Sequence, residues 1–303
     1  MSPAPLAGYA FAGGALVLFA SNAMITRVAV RRLALSTGFL VVVVVNVVVG
    51  ALVLALELAL RAQPLTWDAF GVAVFLVAGF FSTFLGRWFF FAAVERLGPA
   101  RASTWQVTSP LWTAAFAFAL GERLSWPVVA AMAVTCAGLT LVATSPGTGG
   151  RARSASRAFA ASGAALGIGS AIGYAMGNIL RSVAVARWDE AIAGALLGAI
   201  AGLAVQVLVG GNPREIPDAI RRADRQGLAL YGVMGVVTML AQILTVLALA
   251  RLPAAIVALI VLATPLITFP ASYLWLRHEE NINARTAAGV LLALAGLAAI
   301  VLR

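Results

Sequence analysis

Apolar runs of about 20 residues, the length that crosses a bilayer core, follow one another along this chain with only short polar breaks between them. Within lipid every backbone N–H and C=O must be satisfied internally, so a spanning chain is either helical or a closed barrel. Runs this long, without strict alternation, are helices. Over 303 residues the chain is 62% hydrophobic and 11% charged, where an ordinary soluble domain carries about a quarter charged residues. The spacing predicts spans near residues 6–26, 37–60, 69–94, 102–120, 127–145, 160–180, 191–210, 227–249, 255–275 and 286–302. The expected fold is an all-α polytopic membrane protein of ten transmembrane helices.

The chain is also written twice. Arg96 and Arg251, Leu97 and Leu252, Ala100 and Ala255, Pro110 and Pro265, and Leu111 and Leu266 all pair at a spacing of 155 residues. Glu122 and Glu279 pair at 157, and Ala137-Gly138-Leu139 with Ala295-Gly296-Leu297 at 158, as a few extra residues in the second turn require. The expected organisation is a five-helix repeat over 1–145, a Gly/Ser/Arg-rich linker over 146–158 and a second five-helix repeat over 159–303. Because five is odd, the second repeat crosses the membrane in the opposite sense, an inverted repeat with a site expected near its interface.

All 21 basic residues are arginines, giving a net charge of +10. Their place in short loops between apolar spans fits membrane topology and anionic lipid headgroups, so nucleic acid is not an expected partner. On the predicted spans 14 arginines fall on one face and 6 on the other, with Arg181 counted at the latter end of the sixth span and Arg87 inside the third. The arginine-rich face belongs to the cytoplasm, which puts both termini outside. The opening apolar run lacks a basic segment before it and reads as the first membrane helix. Cys136 is the one cysteine, so neither a disulfide framework nor a structural metal cluster is expected.

Polar side chains inside spans are costly in lipid and turn inward. The sixth span carries Gly163, Gly167, Ser170, Tyr174, Asn178 and Arg181 on one face, and the eighth carries Tyr231, Gly235, Thr238, Gln242 and Thr245. Asn22 marks the first span, Trp105, Gln106, Ser109 and Thr113 share a side of the fourth, and the aromatics Trp88 to Phe91 face lipid. Arg87, about eight residues from the nearer helix end, lies too deep to snorkel easily, and a charge there costs ~2.5–3.5 kcal/mol. It stands 155 residues from Gln242, so the two are expected at matching depths on opposite walls of one site. The plainer reading of the same stripes is helix packing: Gly169, Gly173 and Gly177 form a small-xxx-small motif, and Asn22, Asn178 and Gln242 can simply bond across helices. Pro110 and Pro265 read as helix kinks rather than ligands.

No phosphate loop, metal-ligand cluster, cofactor motif or nucleophile with a base is present, so an enzyme is not expected, nor a cofactor. The one histidine, His278, lies in a predicted loop, which disfavours simple proton antiport.

The paired segments AAVERLGPARAS to SPLWTAAFAFALGERLS, and LALARLPAA to ATPLITFPASYLWLRHEE, each followed by an AGL-containing helix, resemble the EamA-like branch of the drug/metabolite transporter superfamily. The resemblance spans both halves. It implies a ten-helix carrier working by alternating access on small metabolites such as amino acids, often outward, in the plasma membrane of a bacterium or archaeon. It also implies a central cavity lined by helices one, three, four, six, eight and nine, which makes Asn22, Arg87, Trp105, Ser109, Tyr174, Asn178 and Gln242 the candidate substrate contacts. Many relatives place both termini in the cytoplasm, contrary to the arginine count here. The four-helix multidrug relatives carry a first-helix glutamate that this chain lacks, which argues against cationic-drug/proton antiport. The expected substrate bears a carboxylate or other anionic group held by Arg87. The alternatives are a neutral or cationic hydrophobic solute, with Arg87 structural, and a non-transporting scaffold or lipid-binding membrane protein. A monomer suffices for such a carrier and a dimer is compatible with it.

Overall fold

The computed structural model describes residues 3–33, 35–61, 63–97, 105–122, 125–143, 157–209, 223–264, 266–268, 271 and 284–301. Among these residues the regular structure is helical throughout: α1 (Pro3–Ala29), α2 (Leu35–Leu60), α3 (Ala69–Gly79), a π-helical segment (Phe80–Leu85) and α4 (Gly86–Leu97). There follow α5 (Ser109–Ala119), α6 (Trp126–Ala143), α7 (Arg157–Arg187), α8 (Ala191–Val209), α9 (Arg225–Leu249), α10 (Ala254–Leu262) and α11 (Ala284–Val301). Taken with the π segment, α3 and α4 form one crossing, so the order is that of ten spans in two five-helix repeats. Among the described residues six helices are long and apolar enough to cross a membrane on length and composition alone: Pro5–Thr26, Thr37–Leu60, Ala69–Phe90, Ser162–Arg187, Ala191–Val209 and Arg225–Leu249.

Two of the sequence expectations change here. The sixth span does not end near residue 180: α7 runs on to Arg187 because the stretch SVAVA offers no helix breaker. Pro110 does not kink a continuous helix but stands at the start of α5, after a turn at Val107 and Thr108, where its missing N–H costs no hydrogen bond. Pro265 and most of the 146–158 linker lie outside the described residues.

The chain divides into two compact units. The first comprises residues 1–84 and 180–251. In it α9 packs against α1, α2 and α8, and α8 also packs against α2 and α3. Asp68 caps α3 by accepting from the Gly71 N–H at 2.6 Å, and Asp224 caps α9 by accepting from the Gly227 N–H at 3.1 Å. Each cap carboxylate also meets an arginine of the other repeat, Asp68 with Arg187 at 3.4 Å and Asp224 with Arg32 at 3.6 Å. Arg32 and Arg187 are 155 residues apart and the two aspartates 156, so one pair is the repeat image of the other. Reciprocal contacts of this kind are what a pseudo-two-fold axis produces. Fully buried Asn46 on α2 sits 3.1 Å from the Val42 carbonyl and 2.7 Å from that of Gly235, and its amide donates to both when the nitrogen is turned toward them.

At one end of this unit the turn between α7 and α8 is clamped to the segment before α3. Glu190, 5% exposed, accepts from Arg61 at 2.7 and 2.9 Å and from the Thr66 backbone N–H and hydroxyl at 3.0 and 2.9 Å. The hydrogen bonds from Arg61 and Thr66 hold the Glu190 carboxyl below the usual glutamate range, against the opposing effect of burial. Buried Trp188 donates its indole N–H to the Thr66 carbonyl at 3.0 Å and meets Phe75 edge-on.

The second unit comprises residues 85–179 and 252–303. Here α6 packs along α11 and α5 against α10. Gly138 lies against the backbone of Ala293, and Gly296 against Thr135 and the Ala131 carbonyl. Residue 135 corresponds to 293 at the spacing of 158 found for Gly138 and Gly296, so this crossing is also reciprocal. Small residues at such points let backbones approach closely, the main source of helix association in lipid.

Candidate functional site

Within the first unit three helices bring polar groups together. Arg181 lies on α7, six residues before its end at Arg187, or about 9 Å along the axis. It is 7% exposed, and its Nη2 donates to the Oε1 of Gln242 on α9 at 3.1 Å. That bond assigns the amide: Gln242 Nε2 is left pointing elsewhere, buried and without a hydrogen-bond partner. The guanidinium also reaches the α3–α8 crossing, where Gly79 and Gly198 meet backbone to backbone and a Cβ built on Gly198 would sit 3.9 Å from Arg181 Nη2. The π segment begins at the residue after Gly79; such single-turn widenings disturb the carbonyl ladder and recur at functional positions.

One turn before Gln242 on α9 is Thr238, 3% exposed. Thr26, Thr113, Thr135, Thr140 and Thr245 each donate to the carbonyl four residues back in their own helix. Thr238 does not, and its hydroxyl is buried without a partner. Facing it is α1, antiparallel to α9 in a register set by Thr26 Oγ1 at 3.9 Å from Met234 Sδ. Carried one turn inward along both helices, that register pairs positions 22 and 238. Asn22 Oδ1 is likewise buried without a partner.

An unpaired buried polar group costs ~1–3 kcal/mol. Packing alone gives no reason for three such atoms within about one helical turn, whereas a site for a polar ligand does. Arg181 and the free Gln242 N–H are donors suited to an anion, and Asn22 Oδ1 and the Thr238 hydroxyl are acceptors suited to an N–H or O–H. All of these atoms are closed off from solvent in this conformation, so a ligand reaches them only when the helices part.

The second unit holds a different kind of surface. Gln106 donates to the Ser170 hydroxyl at 3.0 Å, and Ser170 donates to the Gly86 carbonyl at 2.7 Å, tying the start of the fourth span and α4 to α7. Beside this chain an open apolar groove is lined by Trp105, Thr108, Leu111, Trp112, Ala115 and Ile168, with Trp105 pressed close on Gly167.

The model of the EamA-like transporter family matches this chain twice, over residues 6–144 and 161–302. The chain belongs to the EamA-like transporter family. It is therefore an integral, multi-pass membrane transporter of the drug/metabolite type. A solved structure titled only as the crystal structure of a protein superposes with a TM-score of 0.71, covering 100% of this chain and 97% of its own, at 18% identity; that likeness concerns the fold alone. No curated protein matches the chain.

In this EamA-like transporter the residues singled out from sequence fall into two groups. Asn22 and Gln242 belong to the first unit, with Arg181 and Thr238. Arg87, Trp105, Ser109, Tyr174 and Asn178 belong to the second. Arg87 is half-buried just after the π segment, and Tyr174 and Asn178 are half-buried on α7. Ser109 is buried at the start of α5, where its carbonyl accepts from Thr113. The arginine hydrogen-bonded to Gln242 is Arg181. It closed the polar face of the sixth span in the sequence, but a span ending near residue 180 counted it among the loop arginines. The continued helix takes it out of that set.

Proposed function

We propose that this chain is a secondary carrier, working by alternating access, for a small organic metabolite that bears a carboxylate or comparable anionic group. One observation carries the reading: the unpartnered Nε2 of Gln242 stands on an amide whose oxygen is committed to the buried Arg181 guanidinium. A carboxylate bridging amide and guanidinium makes charge-assisted hydrogen bonds, roughly twice as strong as neutral ones. Arg181 thus replaces Arg87 as the anion-binding arginine, while Asn22 and Gln242 keep their places in the site. Arginine-rich loops support a topology with both termini outside, and movement out of the cell is the direction we assign.

The test is counterflow in liposomes containing the purified protein, with a panel of small carboxylates, their amides and hydrophobic cations. Saturable exchange of carboxylates but not of their amides supports the reading. The apolar groove beside Trp105 and Trp112 favours a second one, a neutral or cationic hydrophobic solute, and exchange confined to such compounds would establish it instead.

A further inference from the structure

The carboxylate-binding pair accounts for only one of the three unpartnered atoms. Positions 238 and 242 are one turn apart on α9, about 6 Å along the axis, the α1–α9 register sets position 22 across from 238, and Thr238 and Asn22 both offer oxygen acceptors. A plain carboxylate held at Arg181 and Gln242 has no proton to give Asn22 Oδ1 and no group at the level of Thr238. We infer that the substrate is a dipolar molecule whose carboxylate binds Arg181 and Gln242 while a hydroxyl or ammonium group, one turn away, donates to Thr238 and Asn22.

This deepens the carrier reading above and rests on it. Thr238 makes the argument specific, since a helical threonine commonly donates its hydroxyl to the carbonyl one turn back, as five others among the described residues do, whereas at Thr238 both the O–H and the oxygen are left for a ligand group that can exchange a hydrogen bond with it. The separation also selects among dipolar acids. In an α-amino or α-hydroxy acid the donor sits beside the carboxylate, too near to reach the next turn. An acid whose donor ends a chain of about four or five carbons spans a turn of about 6 Å. The class is therefore the short ω-amino and ω-hydroxy carboxylates.

The experiment is a thermal-shift titration of the purified full chain with four probe sets: unsubstituted butanoate and pentanoate, their ω-hydroxy forms, their ω-amino forms, and the corresponding α-substituted acids. The expected result is at least tenfold tighter binding of the ω-substituted acids than of the unsubstituted ones. Whether hydroxyl or ammonium is the stronger identifies the donor. In Thr238→Val the ratio of affinities between ω-substituted and unsubstituted acids should fall to about one, and Thr238→Ser should restore it. Equal binding of plain and ω-substituted acids, or tighter binding of the α-substituted ones, would overturn the inference and leave the carboxylate carrier standing. If no carboxylate of any kind binds, the carrier reading fails and this inference with it.

Discussion

Arg181 Nη2 lies 3.1 Å from Gln242 Oε1, linking α7 to α9 inside the first unit. The bond uses the acceptor of the glutamine and leaves its donor open, and the proposed preference for an anion rests on that donor.

Gln242→Glu keeps the shape of the side chain and an acceptor for Arg181 but exchanges the N–H donor for a second acceptor. Charge-assisted hydrogen bonds are worth ~1.5–3 kcal/mol. Carboxylate affinity should therefore fall by about 10- to 100-fold, with a melting temperature no lower than that of the native chain. Isothermal titration and thermal unfolding on the same preparation check both. Unchanged affinity with a lowered melting temperature would make the amide structural.

Glu190 is a stabilising carboxylate whose folded-state pKa is depressed, chiefly by the hydrogen bond from Arg61. Its contribution is present above the ordinary glutamate value of about 4.3 and is lost as pH falls through the lower, folded value. Glu190→Gln removes it at neutral pH while Arg61, part-exposed, keeps Glu57 at 3.5 Å and the Gln63 and Pro64 carbonyls, so the loss is that of a charge-assisted hydrogen bond, about 1.5–3 kcal/mol. Thermal unfolding at pH 7 should show the loss directly. Between pH 5 and 3 the native chain should lose more stability than the variant; parallel acid profiles would contradict the assignment.

The α3–α8 crossing is asymmetric. A Cβ on Gly79 would lie 2.4 Å from the Gly198 carbonyl oxygen, whereas a Cβ on Gly198 would come no nearer than 3.7 Å to anything. Gly79→Ala should cost ~1–3 kcal/mol through forced backbone movement. Gly198→Ala should be neutral or stabilising by up to ~1 kcal/mol, because alanine is the better helix former. Melting temperatures of the two variants decide it.

Asp68 acts twice, as the cap of α3 and as partner of exposed Arg187. An exposed ion pair is worth ~0–1 kcal/mol, while loss of an aspartate cap typically costs about 1 kcal/mol. Asp68→Ala should accordingly destabilise clearly more than Arg187→Ala. Comparable losses from both would put the energy in the ion pair. By the repeat relation, Asp224→Ala and Arg32→Ala should show the same order.

The polar residues legible in the sequence were those whose type alone is costly in lipid. Asn22 and Gln242 were identified because amides in an apolar run need a reason, and both carry an unpartnered atom in the fold. Arg87 attracted attention by its depth, whereas Arg181 stood near an expected helix end, and only the continuation of α7 to Arg187 brought out its hydrogen bond to Gln242. The π segment at Phe80–Leu85 has no composition that marks it. The start of α5 at Ser109-Pro110 did have a signal, a capping-type residue followed by proline, which mid-span position disguised as a kink.

By itself the sequence determined the membrane class, the helical fold, the duplication and the family. Hydropathy over a bilayer's thickness and self-similarity at a fixed spacing are properties of the chain read in one dimension. Which polar atoms pair and which are left over was decided only in three dimensions. A hydrogen bond takes or spares a group according to what faces it across a helix interface, and the register of α1 on α9 and the reach of Arg181 toward Gln242 are set by packing between segments more than 60 residues apart.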